Sequence, residues 1–172
     1  MAKKADNKKL FFLIALVFAV AAIAMNFLPM IKFHQDLLLE GSYNELKYSG
    51  FNLMFGSEKV VGKTYSALGV TVDYTGSTKL VVVSLIAGIL TVLGLVAGLL
   101  VKIINKKQQS IVKFVSLGCF VAAAILIFAL TKASFVSANE INENLTQYYS
   151  LGIGAILGGI FNGIAGAGIL LS

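Results

Sequence analysis

The sequence predicts an all-α membrane protein, a four-transmembrane-helix bundle with a small β-containing extracytoplasmic loop between helices 1 and 2. Three observations carry this. Four apolar runs, 10–31, 80–101, 111–131 and 149–171, are each about 21 to 23 residues long, enough at about 1.5 Å per residue to cross a hydrocarbon core of roughly 30 Å. None of the runs holds Asp, Glu or Arg, and the one lysine inside them, Lys113, lies two residues from an end. The hydrophobic fraction is 58% and the mean hydropathy +0.87, well past the roughly 45–50% apolar usage of soluble domains.

The elements follow in order. Residues 1–9 form a basic tail with Lys3, Lys4, Lys8 and Lys9. The first span, 10–31, contains a small-x-small triplet, Ala22-Ile23-Ala24, that imitates a signal-peptide cleavage site. Apolarity continues through Met25, Phe27, Leu28 and Met30, which gives a full spanning length and predicts a retained anchor. Pro29, the only proline, marks its outer end.

The loop 32–79 changes from solid apolar to mixed. A short interfacial helix is expected from Lys32, with Leu37, Leu38 and Leu39 on one side and Gly41 interrupting it. From Tyr48 the pattern turns to strand. Phe51, Leu53 and Phe55 fall at period two between Gly50 and Gly56, and Val70, Val72 and Tyr74 alternate with Thr71, Asp73 and Thr75. Turns are expected near Ser57-Glu58 and Gly62-Lys63. An apolar strand face is costly in water, so Phe51, Leu53 and Phe55 are expected either to cap the protein's own helices or to dock a partner.

The second span, 80–101, carries a strip of small and hydroxylated residues, Ser84, Gly88, Thr91, Gly94 and Gly98. After the basic loop 102–110 comes the third span, 111–131, with the single cysteine, Cys119. One cysteine excludes a disulfide within the chain. The loop 132–148 is polar and reads as a helix start at Ser137-Ala138-Asn139-Glu140. It also carries Asn144-Leu145-Thr146, a glycosylation triplet taken as coincidence in a chain of bacterial appearance.

The fourth span, 149–172, is the most unusual. Gly152, Gly154, Gly158, Gly159, Gly163, Gly166 and Gly168 crowd it, and Gly152, Gly159 and Gly166 repeat every seven residues as one smooth stripe. In lipid, small residues favour association because backbones approach closely. The stripe is therefore expected to pack on the strip of the second span, within one molecule or between copies. Asn162 lies near mid-span, and its amide needs a partner, with Thr91, Ser84, Asn26 or a second Asn162 as candidates.

Charge sets the orientation. Eight lysines (Lys3, Lys4, Lys8, Lys9, Lys102, Lys106, Lys107 and Lys113) face only Asp6 across the tail and the 102–110 loop, whereas the two larger loops are close to neutral. The positive-inside rule then predicts cytoplasmic N- and C-termini in a multi-pass protein of the cell (plasma) membrane. All six tyrosines fall on the outward segments, where Tyr148 and Tyr149 would anchor the last helix. All fourteen basic residues are lysine, which suits an AT-rich bacterial genome and deprives the chain of the fork that grips phosphate. The basic excess therefore points to a lipid bilayer, with no nucleic-acid partner.

Chemistry finds little foothold. His34, the only histidine, has Asp36 nearby but no nucleophile or second ligand, and the outer carboxylates are scattered. No enzyme activity, cofactor or metal is expected. A glycine-dense membrane helix resembles the rotor ring of ion-driven ATP synthases, yet that family needs a mid-membrane carboxylate and this chain has none. The four-span layout with a strand-bearing first outer loop resembles the claudin-type tetraspan architecture in layout only, since the Trp and paired Cys of that loop are missing. The expected role is an accessory or scaffold subunit of a membrane assembly, partnered by another membrane protein or by copies of itself. The alternative is a small oligomeric channel or transporter with the fourth span lining the pathway.

Overall fold

A computed structural model describes residues 2–36, 43–65, 70–78, 80–133, 136–138 and 149–172, with side chains described for 7–32, 47–57, 80–132 and 149–172. The long elements are α1 (Ala2–Ala24), α3 (Val82–Leu100), α4 (Lys106–Phe128) and α6 (Ile153–Leu171), with a 3-10 turn, Met25–Phe27, extending α1. All four contain a window long and apolar enough to cross a membrane: Asn7–Phe27, Val82–Leu100, Lys106–Phe128 and Ile153–Leu171. Around the bundle α1 touches α6, α6 touches α4, and α4 touches α3. The ring closes only loosely from α3 back to α1, and α3 and α6 stand diagonally.

One end of the bundle carries sheets and the other carries lysines. At the sheet end, β1 (Pro29–Asp36) pairs antiparallel with β2 (Tyr43–Ser49) on one side and with β6 (Tyr149–Leu151) on the other. A second sheet has the order β3 (Ser57–Tyr65), β4 (Val70–Thr78), β5 (Val136–Ala138), again antiparallel. Two short helices, α2 (Gly50–Phe55) and α5 (Leu130–Ala133), complete the elements.

This corrects four expectations. The stretch from Lys32 is a strand, not an interfacial helix, because Pro29 ends the helical run and every residue from Ile31 to Asp36 finds a cross-strand partner in β2. Residues 50–55 are helical, not a strand. Ser49 caps the start through Asn52 N–H donating to its Oγ at 3.3 Å, and Gly56 ends it at φ 80°. The turns expected near Ser57 and Gly62 fall inside β3, whose partner β4 runs the full length from Ser57↔Thr78 to Tyr65↔Val70. The helix start expected at Ser137 is strand β5, which brings the later loop into the second sheet. Leu37, Leu38, Leu39, Gly41 and the Asn144 triplet lie outside the described residues.

Two apolar clusters hold the bundle. Toward the sheets, Met30, Ile31, Tyr48, Leu53, Leu130 and Ala155 are buried together. Toward the lysines, Ala15, Ala19, Val101, Phe120, Ala165 and Ile169 form the second. The helix α6 is the hub: 50% of its apolar window is buried against 22–28% for the other three. The rest of each span turns Leu, Ile, Val and Phe side chains outward, for example Val17, Ile89, Ile125 and Ile160. In lipid such a surface is a solvated one.

Candidate functional site

The polar side chains buried among the spans mark the candidate site, and each is tied first to a helix backbone. The Asn162 amide sits at the centre, fully buried. Its Nδ2 donates to the Gly158 carbonyl at 2.9 Å, which leaves Oδ1 as an acceptor facing α3. There Thr91 Oγ1 lies 3.1 Å from that Oδ1 and 3.0 Å from the Ala87 carbonyl, so its one proton serves one acceptor at a time. The pair bridges the diagonal of the bundle, the one place where α3 and α6 exchange a side-chain hydrogen bond among the described residues.

Other expected partners of Asn162 are engaged elsewhere. Asn26 Nδ2 donates to the Ile23 carbonyl at 3.0 Å, and Ser84 Oγ reaches the Gly50 carbonyl at 3.5 Å. Ser116, which the sequence reading passed over, donates its hydroxyl to the Gly94 carbonyl at 2.7 Å and ties α4 to α3. Its signal was a hydroxyl inside the apolar run, one turn beyond Lys113. A serine inside a span needs an acceptor, and a glycine on the next helix leaves a carbonyl within reach.

The glycines divide by what they meet. Within this chain the stripe glycines Gly152, Gly159 and Gly166 meet α4 and the end of α1 rather than the α3 strip, because α3 and α6 are diagonal and touch only through pairs such as Thr91–Asn162 and Gly98–Ile169. The β1–β6 pairing explains where the stripe goes instead. Gly152 N–H donates to the Met30 carbonyl at 2.8 Å, continuing the ladder one residue past Leu151. That draws the α6 entrance onto the end of α1, and a Cβ on Gly152 would run into the Pro29 carbonyl. On Gly154 it would stand 2.8 Å from the Met25 carbonyl oxygen. Further along α6, Gly159 lies under the Phe128 ring and Gly166 against Leu117 and Phe120, all on α4. Gly158 has ordinary room beside Met25. Gly163 is exposed, with nothing within 4 Å of where a Cβ would sit.

On α3 the neighbours are side chains. Gly88 faces the Met54 methyl, Gly94 the Phe120 ring at 3.1 Å, and Gly98 the Ile169 tip at 2.9 Å.

The outer-contact trio separates once residues 50–55 are helical. Leu53 is fully buried, and Leu53 O accepts from Val81 N–H at 2.7 Å, which fastens α2 to the start of α3. Phe51 and Phe55, one turn apart, share the outward face. Phe51 packs against Phe27 with centroids 4.6 Å apart and stacks on Phe55 at 6.4 Å. With Ile23, Asn26, Met54, Leu85, Gly88 and Val92 they line an apolar cleft of about 280 Å³ where the α1–α3 contact is loose.

Tyr48, on β2, is buried beneath this end. Its hydroxyl is pushed up to about 12 by desolvation, with Tyr149 adding repulsion. Cys119 is a free, half-buried thiol on α4. Among the described residues no group of three or more His, Cys, Asp or Glu could hold a metal ion. The side chains of His34 and Asp36 lie outside those described.

Comparison with known protein families, curated proteins and solved structures returned no match. The chain is a helical protein with four membrane-spanning-length helices and a sheet-bearing end.

Proposed function

We propose that this chain is a non-enzymatic, multi-pass membrane protein that serves as an accessory or scaffold subunit of a membrane assembly, in the plasma membrane of a bacterium with both termini cytoplasmic. The observation that supports this reading best is how the bundle uses its polar groups. Asn162, Thr91, Ser116 and Asn26 spend their hydrogen bonds on helix carbonyls and on one another. Such bonds fix helix position, and the spans hold no carboxylate or histidine for a proton or cation relay.

The outward face of α6 supports the interaction half of the reading. Gly163 and Ala167 are four residues apart and both exposed, flanked by Ile160 and Ile164. That is the small-xxx-small geometry by which a second membrane helix approaches closely. A photo-crosslinking residue placed at Gly163, in membranes, tests it. A discrete crosslinked band, to another membrane protein or to a second copy, is the expected result. Crosslinks to lipid alone would refute the interaction surface. The channel or transporter alternative draws on the central position of Asn162 and predicts flux through reconstituted protein.

A further inference from the structure

At the lysine end, α4 begins with an arrangement that costs the isolated chain free energy. Lys106 and Lys107 occupy its first turn, where the helix dipole favours acids, and that turn has none. Lys8 and Lys102 stand close enough to Lys113 for their charges to repel it. In sequence, Asp6 lies two residues from Lys8, and no acid falls between Asp73 and Glu140. Lys102 is also drawn over the Phe12 ring, 4.5 Å from its centroid, so an aromatic face stands in for a counter-ion.

Between the α4 start and the α6 end lies a cavity of about 340 Å³, lined by Lys106, Gln109, Ser110, Lys113, Phe114 and Leu170. That lies in the range of small-ligand sites, roughly 300–1,000 Å³. Its lining is split. Lys106 and Ser110 are exposed donors, and Lys113 gives one N–H to the Ser172 main-chain oxygen at 2.7 Å, which leaves two for a ligand. Gln109 Nε2 is held by the Ile104 carbonyl at 3.2 Å. Phe114 and Leu170, 60% and 40% exposed, form an apolar wall leading into the span.

We infer that this cavity binds the phosphate headgroup of an anionic phospholipid, with Lys106 and Lys113 on the phosphate, Ser110 on a headgroup oxygen, and Phe114 and Leu170 along the first acyl methylenes. Charge complementarity selects the occupant: Lys106 and Lys113 line the mouth, with Lys8 and Lys102 close to Lys113, at the polar end of spans that place it at headgroup depth. A zwitterionic lipid brings its own cation and gains less, and inorganic phosphate makes no use of the apolar wall. The inference rests on the helices spanning a bilayer and is independent of the scaffold role.

The test is thermal unfolding of the purified full chain in a neutral detergent, titrated with phosphatidylglycerol, phosphatidylcholine or sodium phosphate. Phosphatidylglycerol alone should raise the unfolding temperature saturably. Lys106→Ala, an exposed change, should not lower the lipid-free unfolding temperature and should weaken half-saturation about fivefold, the equivalent of one surface lysine. The double variant with Lys113→Ala should lose the response, while Lys132→Ala, on α5, should keep it. Equal stabilisation by phosphatidylcholine, an unchanged response in the double variant, or full stabilisation by sodium phosphate would each overturn the assignment.

Discussion

The two glycine-bearing helices, α3 and α6, look alike in sequence and do different work. On α6 the glycines at the entrance meet main chain: Gly152 and Gly154 sit on the carbonyls of Pro29, Met25 and Leu28. On α3 they meet the tips or rings of side chains: Met54, Phe120 and Ile169. Main chain between the end of α1 and β1 cannot step aside without moving both elements, whereas a methionine tip can swing. A glycine count thus says that backbones or rings come close, and only the neighbour decides whether the glycine is indispensable.

Substitutions can break that contrast. Gly152→Ala should be the most damaging single change, costing about 3 kcal/mol or abolishing assembly, since the added methyl faces the carbonyl of Pro29, which is paired with Ser49 of β2. Unfolding temperature and detergent-soluble yield would read it; a wild-type profile would mean the seam is not as close as described.

The same seam should be sensitive to alkali. Tyr48 and Tyr149 lie in the buried cluster between β1 and α6, and the Tyr48 hydroxyl titrates near 12 where 10 is usual. The folded protein therefore keeps a proton that the unfolded chain releases. Stability is intact below pH 10 and declines by about 2 kcal/mol or less as pH rises from 10 through about 12. Unfolding measured from pH 8 to 12 should show the decline, and Tyr48→Phe should flatten it.

The diagonal link is weaker. Asn162→Ala removes one side-chain bond to Thr91, and such bonds in membranes average about 0.6 kcal/mol. Double-mutant cycles with Thr91→Val should return a coupling of that size. A value several times larger would make this pair, and not the α6 seam, the centre of the bundle. Smallest of all, Gly88→Ala should shift stability by no more than about 0.5 kcal/mol, because only the Met54 methyl must move. A larger loss would show that α3 is as tightly constrained as α6.

These differences track what was legible in the chain. The spans were plain because lipid demands about twenty apolar residues in one run, and hydropathy reads that directly. The first span still ended earlier as a helix than its apolarity did, since Met30 and Ile31 are apolar in β1 and buried in the cluster with Leu53, Leu130 and Ala155. At 50–55 the spacing of Phe51, Leu53 and Phe55 fits period two, yet Phe51 and Phe55 are also one helical turn apart. Ser49 and Gly56, a cap and a stop, held the better signal.

The role of the α6 glycines depended on which helix lay beside them. That was set by a three-residue strand, Tyr149–Leu151, too short to announce itself inside an apolar run. The Asn162–Thr91 pair was legible, because a lone amide in a span must find an acceptor or donor and few were on offer. The lysine-end cavity was legible only as charge, since its apolar wall comes from α4 and α6 together.

The central claim, that the polar groups within the spans lock helices together and conduct nothing, meets its most direct test in flux. Full-length protein reconstituted into liposomes should leave ion and small-solute permeability at the protein-free background, with wild type and Asn162→Leu indistinguishable. Selective flux in wild type that disappears in Asn162→Leu would contradict the account and establish the channel reading.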